Sequence, residues 1–213
     1  MIKGVIFDLD GVITDTAKLH YIAWKNLANS IGIDIDEEFN ESLKGISRTD
    51  SLLRILEYGG VRDKYSDQDI KILTDKKNDE YVKLLEDLTK EDILPGIENF
   101  IKELKDNNIK IGLASVSKNA SRILEILGLL DQVDFIADPA KVEKSKPAPD
   151  IFIESARGIG LAIDQVFGIE DSQAGVEAMR ACKMRSVGIG VDADLRLETT
   201  QDLSLEKIAL YFE

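Results

Sequence analysis

The pattern of apolar and polar positions changes character twice along the chain. Ile2 to Phe7 is apolar apart from Lys3 and Gly4, is rich in β-branched residues, and runs into Asp8, Asp10 and Gly11. A short apolar run stopped by loop formers predicts a strand buried on both faces of a parallel sheet. Residues 17–92 read differently, with no convincing strand and no proline. Leu19, Ile22, Ala23, Leu27 and Ile31 recur at helical spacing before Gly32, which predicts a helix over 17–31. Shorter helical patterns cover 37–43 and 49–56. The longest covers 66–88, with Ile70, Leu73, Tyr81, Leu84 and Leu85 on one stripe and Asp67 and Asp69 favouring its N-terminus. From Ile93 onward, strand-length runs (109–114, 133–137, 166–169, 186–189, 195–197) alternate with helical patterns (97–105, 120–127, 150–158, 174–182, 205–212). Such alternation predicts a parallel sheet with right-handed crossovers. The expected architecture is therefore α/β: a Rossmann-like core of residues 1–15 and 93–213, and an inserted all-helical cap domain of residues 16–92.

This order of elements also places the chemistry. Asp8 and Asp10 emerge at the carboxyl end of the first strand, where ligands sit in open α/β sheets. Paired carboxylates there require a cation or a shared proton, unless they form only a solvated turn. Three later stretches follow strands and fall on the same rim. In Ala114–Asn119, Ser115 suits phosphate binding by hydroxyl and backbone N–H, whereas Ser117 equally suits a helix cap; both can hold. In Lys144–Asp150, Lys146 stands before Pro147 and a helix, either as an aimed cation or as a solvated loop lysine. In Gly168–Gly175, Glu170 and Asp171 form a hard-oxygen site suited to Mg²⁺, or an acidic helix cap.

Charge narrows the partners. The chain has 213 residues, 27 basic and 40 acidic, for a net charge of −13. Such a surface repels nucleic acid and anionic membranes, so neither is an expected partner. An anionic substrate would need a local cluster of Lys, Arg and metal. With 44% hydrophobic residues the chain can bury a real core. No apolar run approaches the roughly 20 residues of a membrane span, Met1 leads straight into the first strand without a signal peptide, and the single cysteine, Cys182, gives neither a disulfide framework nor a thiolate zinc site. A soluble, cytoplasmic, monomeric protein is expected. Within the cap, Lys77 lies seven residues from Ile70 and from Leu84 and four from Tyr81, on the apolar stripe of its helix. A lysine there either snorkels outward or points at an anion. Arg48 ends the turn Leu43–Arg48 and suits bidentate phosphate recognition, or is a surface arginine beside a capping Ser47. His20, the only histidine, shares a helical face with Trp24 and Leu27 and by default is a packed side chain.

The strings FDLDGVITDT, ASVSKN, KPAPDIF and GIEDSQAG, in that order, resemble the four signatures of the haloacid-dehalogenase superfamily of phosphotransferases. The resemblance implies that Asp8 attacks phosphorus, Asp10 donates and takes protons, and Ser115 and Lys146 hold the phosphoryl oxygens. It also implies Mg²⁺ held by Asp8, the Asp10 carbonyl and Asp171, with Glu170 nearby. It extends into the cap through AKLHYIAWKNLA, LKGISRTDSL and KKNDEYV, covering roughly residues 1–190. There it implies a mutase interconverting β-glucose 1-phosphate and glucose 6-phosphate through an aspartyl-phosphate enzyme and β-glucose 1,6-bisphosphate. The implied contacts to the sugar phosphate are Gly45, Ile46, Ser47, Arg48 and Lys77 from the cap and Val116, Ser117, Lys118 and Asn119 from the core, with His20 positioning Asp10 as the cap closes. The alternative is a sugar-phosphate phosphatase of the same superfamily. A non-catalytic phosphate sensor is disfavoured because every chemical residue is present.

Overall fold

The computed structural model describes residues 2–212; Met1 and Glu213, the outer ends of the expected core, lie outside them. The described residues form one sheet of six parallel strands: β1 (Gly4–Phe7), β2 (Lys110–Leu113), β3 (Phe135–Ile136), β4 (Val166–Glu170), β5 (Arg185–Ile189) and β6 (Leu195–Leu197), in the order β3-β2-β1-β4-β5-β6. The order reverses at β1, which is the switch point where such sheets bind ligands. Phe7 is in register with Leu113 on one side and with Ile169 on the other. Asp8 N donates to Ile169 O (2.9 Å) and Ala114 N to Phe7 O (2.8 Å), so Asp8, Ser115 and Glu170 leave the sheet side by side.

Between β1 and the rest of the core run α1 (Ala17–Ser30), α2 (Glu37–Glu41), α3 (Arg48–Tyr58) and α4 (Asp67–Leu84). Their starts follow from local capping. Asp36 accepts Phe39 N (2.7 Å) and Ser47 accepts Asp50 N (3.1 Å), while Ser66 and Asp69 make a reciprocal capping box. The helices close on their own cluster of Trp24, Leu27, Leu52, Ile55, Leu56 and Ile70. The chain crosses between core and cap twice, and the crossings are stapled together: Leu94 N donates to Ile13 O (2.9 Å) and Thr14 Oγ1 to Asp92 O (2.8 Å).

The core helices are α5 (Ile97–Asp106), α6 (Ala120–Leu127), α7 (Asp150–Gly158), α8 (Gln173–Ala181) and α9 (Leu205–Phe212). Alternate residues of β1 feed the two faces of the sheet. Val5 and Phe7 join Phe100, Leu104, Ile123 and Leu124, whereas Ile6 joins Phe152, Ala156 and Met179. Each fully buried side chain of this size contributes about 1.5–3 kcal/mol, which fixes the strand order and hence the rim. No described helix is long and apolar enough to cross a membrane.

The structure differs from the sequence pattern at element ends. The first strand starts at Gly4, although Lys3 still bonds to Gln165 on one side and Lys110 on the other. The expected strand over 133–137 narrows to Phe135–Ile136: Val133 closes the 3-10 turn Leu130–Gln132, while Asp134 N and Ala137 N still donate to Ile111 O and Leu113 O. The long cap helix stops at Leu84 and tightens into a 3-10 turn, Leu85–Asp87. That turn delivers Leu85 and Leu88 to the core cluster under β1, a tertiary demand that outweighs helical periodicity.

Candidate active site

The rim residues build a charged cluster in a nearly dry setting. Asp8 is 5% exposed. Lys146 Nζ donates to Asp8 Oδ1 (2.6 Å) and to Glu170 Oε2 (2.8 Å), and lies 4.8 Å from the centroid of the Phe152 ring. The other oxygen of Glu170 accepts from Ser172 N (3.1 Å) and Ser172 Oγ (2.7 Å). Ser172, not an acid, is the N-cap of α8 and accepts from Gly175 N. A Cβ at Gly175 would run into the Glu170 carboxylate, so the helix can approach the rim this closely only with glycine there. Ser115 is buried and its hydroxyl accepts from Ser117 N (3.1 Å); the Ser117 hydroxyl accepts from Asn119 N (3.2 Å). The N-cap of α6 is Asn119 itself, so Ser117 shapes the loop before the helix instead of capping it.

One ammonium cannot neutralise the acids gathered here. Oxygens of Asp8, Glu170 and Asp171 lie within 4.8 Å of one another. Burial first, then the Glu170 charge, raises Asp8 well above the usual carboxylate range despite Lys146, whereas both carboxylates hold Lys146 firmly as ammonium. Burial and the Glu170 charge likewise push Asp171 up to about 7, and burial pushes Asp10 up to about 6. Buried carboxylates in excess, all hard oxygen donors with no thiolate or imidazole in the set, fit a divalent cation such as Mg²⁺.

Above the rim, core and cap enclose a cavity of about 680 Å³. Its wall includes Asp8, Asp10, Asp171, Val116, Ser117 and Lys118 from the core, and His20, Gly45, Ile46, Ser47, Arg48 and Lys77 from the cap. Lys146 lines an adjoining cleft. Ser115, Asn119 and Glu170 line neither space. The loop carrying Gly45 lies against Ser172 and Ala174: Gly45 has φ +71°, and a Cβ there would strike the Ser172 hydroxyl.

Lys77 does not snorkel. Its Nζ lies 2.6 Å from His20 Nδ1 and sits over the rings of Trp24 (4.8 Å) and Tyr81 (4.6 Å). Burial, with Arg48 second, lowers Lys77 to about 7; burial and then the Lys77 charge hold His20 well below its usual range, hence neutral. Lys77 therefore donates to Nδ1, and the Nε2–H faces Asp10 Oδ2 at 4.0 Å. Four participants escaped the sequence reading. Asn78 Oδ1 accepts from Arg48 Nη2 (2.7 Å) and from Asn119 Nδ2 (3.0 Å), tying cap to core. Lys44 pairs with Glu41 (2.9 Å) on the cavity wall and feels the Asp171 charge. Trp24 and Tyr81 cage Lys77. The sequence cues were positional: Lys44 in the Leu43–Arg48 turn, Trp24 on the face of His20, Tyr81 on the stripe of Lys77, and Asn78 within KKNDEYV.

An all-parallel sheet whose strand order reverses at β1, under a helical cap, puts a buried, lysine-paired aspartate at the point where such sheets bind ligands. The chain belongs to the haloacid dehalogenase-like hydrolase family, whose model matches residues 2–183. Among its relatives is the β-phosphoglucomutase of Bacillus subtilis (strain 168), 46% identical over 209 residues, covering 96% of this chain and 92% of that protein. The crystal structure of β-phosphoglucomutase from Clostridium difficile superposes with a TM-score of 0.97 at 48% identity, covering 100% of this chain and 97% of that one. The phosphorylated carbohydrates phosphatase of Thermotoga maritima is more distant, at 26% identity over 187 residues, covering 87% of this chain and 83% of that protein.

Proposed function

We propose that this chain is a Mg²⁺-dependent β-phosphoglucomutase, an isomerase interconverting β-D-glucose 1-phosphate and D-glucose 6-phosphate. The observation that carries this reading is the cavity that holds Asp8, paired with its own cation on the core, together with a second cationic group, Arg48 from the cap and Lys118 from the core rim. A bisphosphate needs both ends. Identity near one half over nearly the whole chain to two enzymes of that name supports the same substrate.

Asp8 Oδ attacks phosphorus in line, forming an acyl phosphate as the bond to the sugar oxygen breaks. Asp10, raised to about 6, gives that oxygen its proton and takes one back in the reverse direction. Ser115 and Lys146 hold the equatorial oxygens, over which charge spreads in the transition state. Asp8, the Asp10 carbonyl and Asp171, with Glu170 nearby, would hold Mg²⁺, which would supply positive charge to the phosphoryl group. Phospho-Asp8 passes its group to C6-OH of β-glucose 1-phosphate, the bisphosphate turns over, and Asp8 removes the phosphoryl group from C1. The helical cap, taken as residues 16–92 over a core of 1–15 and 93–213, excludes water meanwhile. The enzyme acts as a cytoplasmic monomer on sugar phosphates.

The test is incubation with β-glucose 1-phosphate, Mg²⁺ and a trace of β-glucose 1,6-bisphosphate. Glucose 6-phosphate is the expected product, EDTA stops its formation, and added Mg²⁺ restores it. Release of inorganic phosphate instead would identify a phosphatase, the activity that the Thermotoga relative's name describes; full turnover in EDTA would remove the metal from the mechanism.

The second cationic group gives a further expectation. Arg48 is anchored by Asn78 (2.7 Å). A charge-assisted contact to phosphate is worth about 1.5–3 kcal/mol, or one to two decades in binding. Arg48→Ala should slow mutase turnover by at least about tenfold, with the aspartyl-phosphate hydrolysis rate changing far less. Parallel loss of both rates would mean that Arg48 supports the fold and not a second phosphate.

A further inference from the structure

Two donors of the second phosphate site, one from the cap and one from the core, converge on a single oxygen of the protein. Asn78 Oδ1 accepts from Arg48 Nη2 (2.7 Å) and from Asn119 Nδ2 (3.0 Å). A guanidinium only donates, so Asn78 presents its oxygen there and Asn119 its nitrogen. The second bond turns Asn119 away from the cavity. Val116, Ser117 and Lys118 of the same loop line that space, and Asn119 does not. The acceptor is also a neutral residue in an acidic stretch. Asp75, Asp79 and Glu80 surround Asn78 on α4. Burial lowers Arg48 from its ordinary range, and the charges of Asp75 and Asp79 oppose this. Asp75 itself pairs with Lys71 (2.8 Å), so the group in direct contact with Arg48 is an amide among carboxylates. A carboxylate there would hold the guanidinium by a charge-assisted bond, about twice as strong as a neutral one. An amide oxygen is a weaker partner, which the doubly charged oxygens of a phosphate can displace.

We propose that Asn78 is a positioning residue whose amide oxygen stands in for a phosphoryl oxygen: it keeps Arg48 and Asn119 aimed at one point, and the second phosphate of the substrate takes both donors from it. This inference deepens the mutase reading and rests on it. The direct tie between α4 and the Ser115–Asn119 loop is then exchanged for one through the substrate, and Asn119 turns into the cavity.

The test compares wild type, Asn78→Asp and Asn78→Ala on β-glucose 1-phosphate with Mg²⁺ and a fixed trace of β-glucose 1,6-bisphosphate. This substrate presents its phosphate to the second site while its C6 hydroxyl faces phospho-Asp8, so KM reads that site. In Asn78→Asp the phosphate must break an ion pair with Arg48, and KM rises by at least about tenfold. In Asn78→Ala nothing has to be displaced, and KM stays at or below the wild-type value. In both, kcat stays within about threefold, because the contact acts on ground state and transition state alike. Opposite movements of KM in two variants that both lack the amide do not arise from damage to the fold. A rise in KM with alanine as large as with aspartate would make Asn78 a fixed anchor of Arg48 and overturn the inference, as would a wild-type KM in Asn78→Asp. A wild-type enzyme that does not turn over β-glucose 1-phosphate would instead overturn the functional reading, and this inference with it.

Discussion

Asp8→Asn should lose phosphoryl transfer by at least about four decades while folding normally, because it removes the nucleophile and little else. The amide is isosteric, and its oxygen can still accept from Lys146, now 2.6 Å from Asp8. Stability should not fall at neutral pH. Asp8 is raised well above its ordinary range by burial and by Glu170. A carboxylate raised on folding adds stability that is fully present below its unfolded pKa and disappears as pH rises through its folded pKa. Above that window the wild-type carboxylate is a cost that asparagine does not carry. The variant's Tm should therefore match or exceed the wild type at pH 8. The measurements are acid-stable phosphate incorporation from β-glucose 1,6-bisphosphate and thermal melts at pH 5 and 8. A covalent phospho-adduct trapped on any other residue would overturn the assignment of Asp8.

The rim was legible because its signal is local. Asp8, Ser115, Lys146, Glu170 and Asp171 each stand at or just past a strand end or before a helix, and the alternation of strands and helices puts those strand ends on one rim, although the strand order itself was not read from the sequence. The parallel sheet and the helical insertion were read from the same patterns. Lys77 was legible as an inward lysine from its spacing with Ile70 and Tyr81. What it meets was not: His20 is 57 residues away, and the choice between snorkelling and burial is made by the aromatic rings of two helices. Asn78 was visible only as a letter of KKNDEYV, with no role attached to it. Its role as common acceptor for Arg48 and Asn119, 30 and 41 residues distant, exists only once α3, α4 and the Ser115–Asn119 loop meet. The 3-10 turns escaped for a different reason, since three residues hold no measurable period. Nor could a one-dimensional pattern show Tyr81 as anything but core, because its stacking on His20 exists only in the packed junction.

Lys146 should carry the largest structural load in the site, and Lys146→Met measures it. Methionine keeps an unbranched apolar stem and gives up the ammonium that now lies over the Phe152 ring. It leaves Asp8 and Glu170 buried beside one another without the ammonium that lies 2.6 and 2.8 Å from them. Breaking a buried ionic cluster by removing one partner costs about 3–5 kcal/mol. In a chain of this size each kcal/mol moves Tm by about 2–4 °C, so the variant should melt about 10 °C lower at pH 8. The deficit depends on pH in a defined direction. Without Lys146, Asp8 is raised further, so its charge costs nothing where it is protonated and most where it is ionised. The loss should shrink toward pH 4–5 and grow as pH rises. Saturating Mg²⁺ should return part of it, by supplying positive charge to the same oxygens in the folded state only. Activity should fall by about two to three decades even where the variant is fully folded, because the equatorial oxygens lose a fixed cation. A melting deficit equal at pH 4.5 and pH 8 would show that Lys146 stabilises by packing and not by charge. Full turnover by the folded variant at saturating Mg²⁺ would remove Lys146 from the phosphate site altogether.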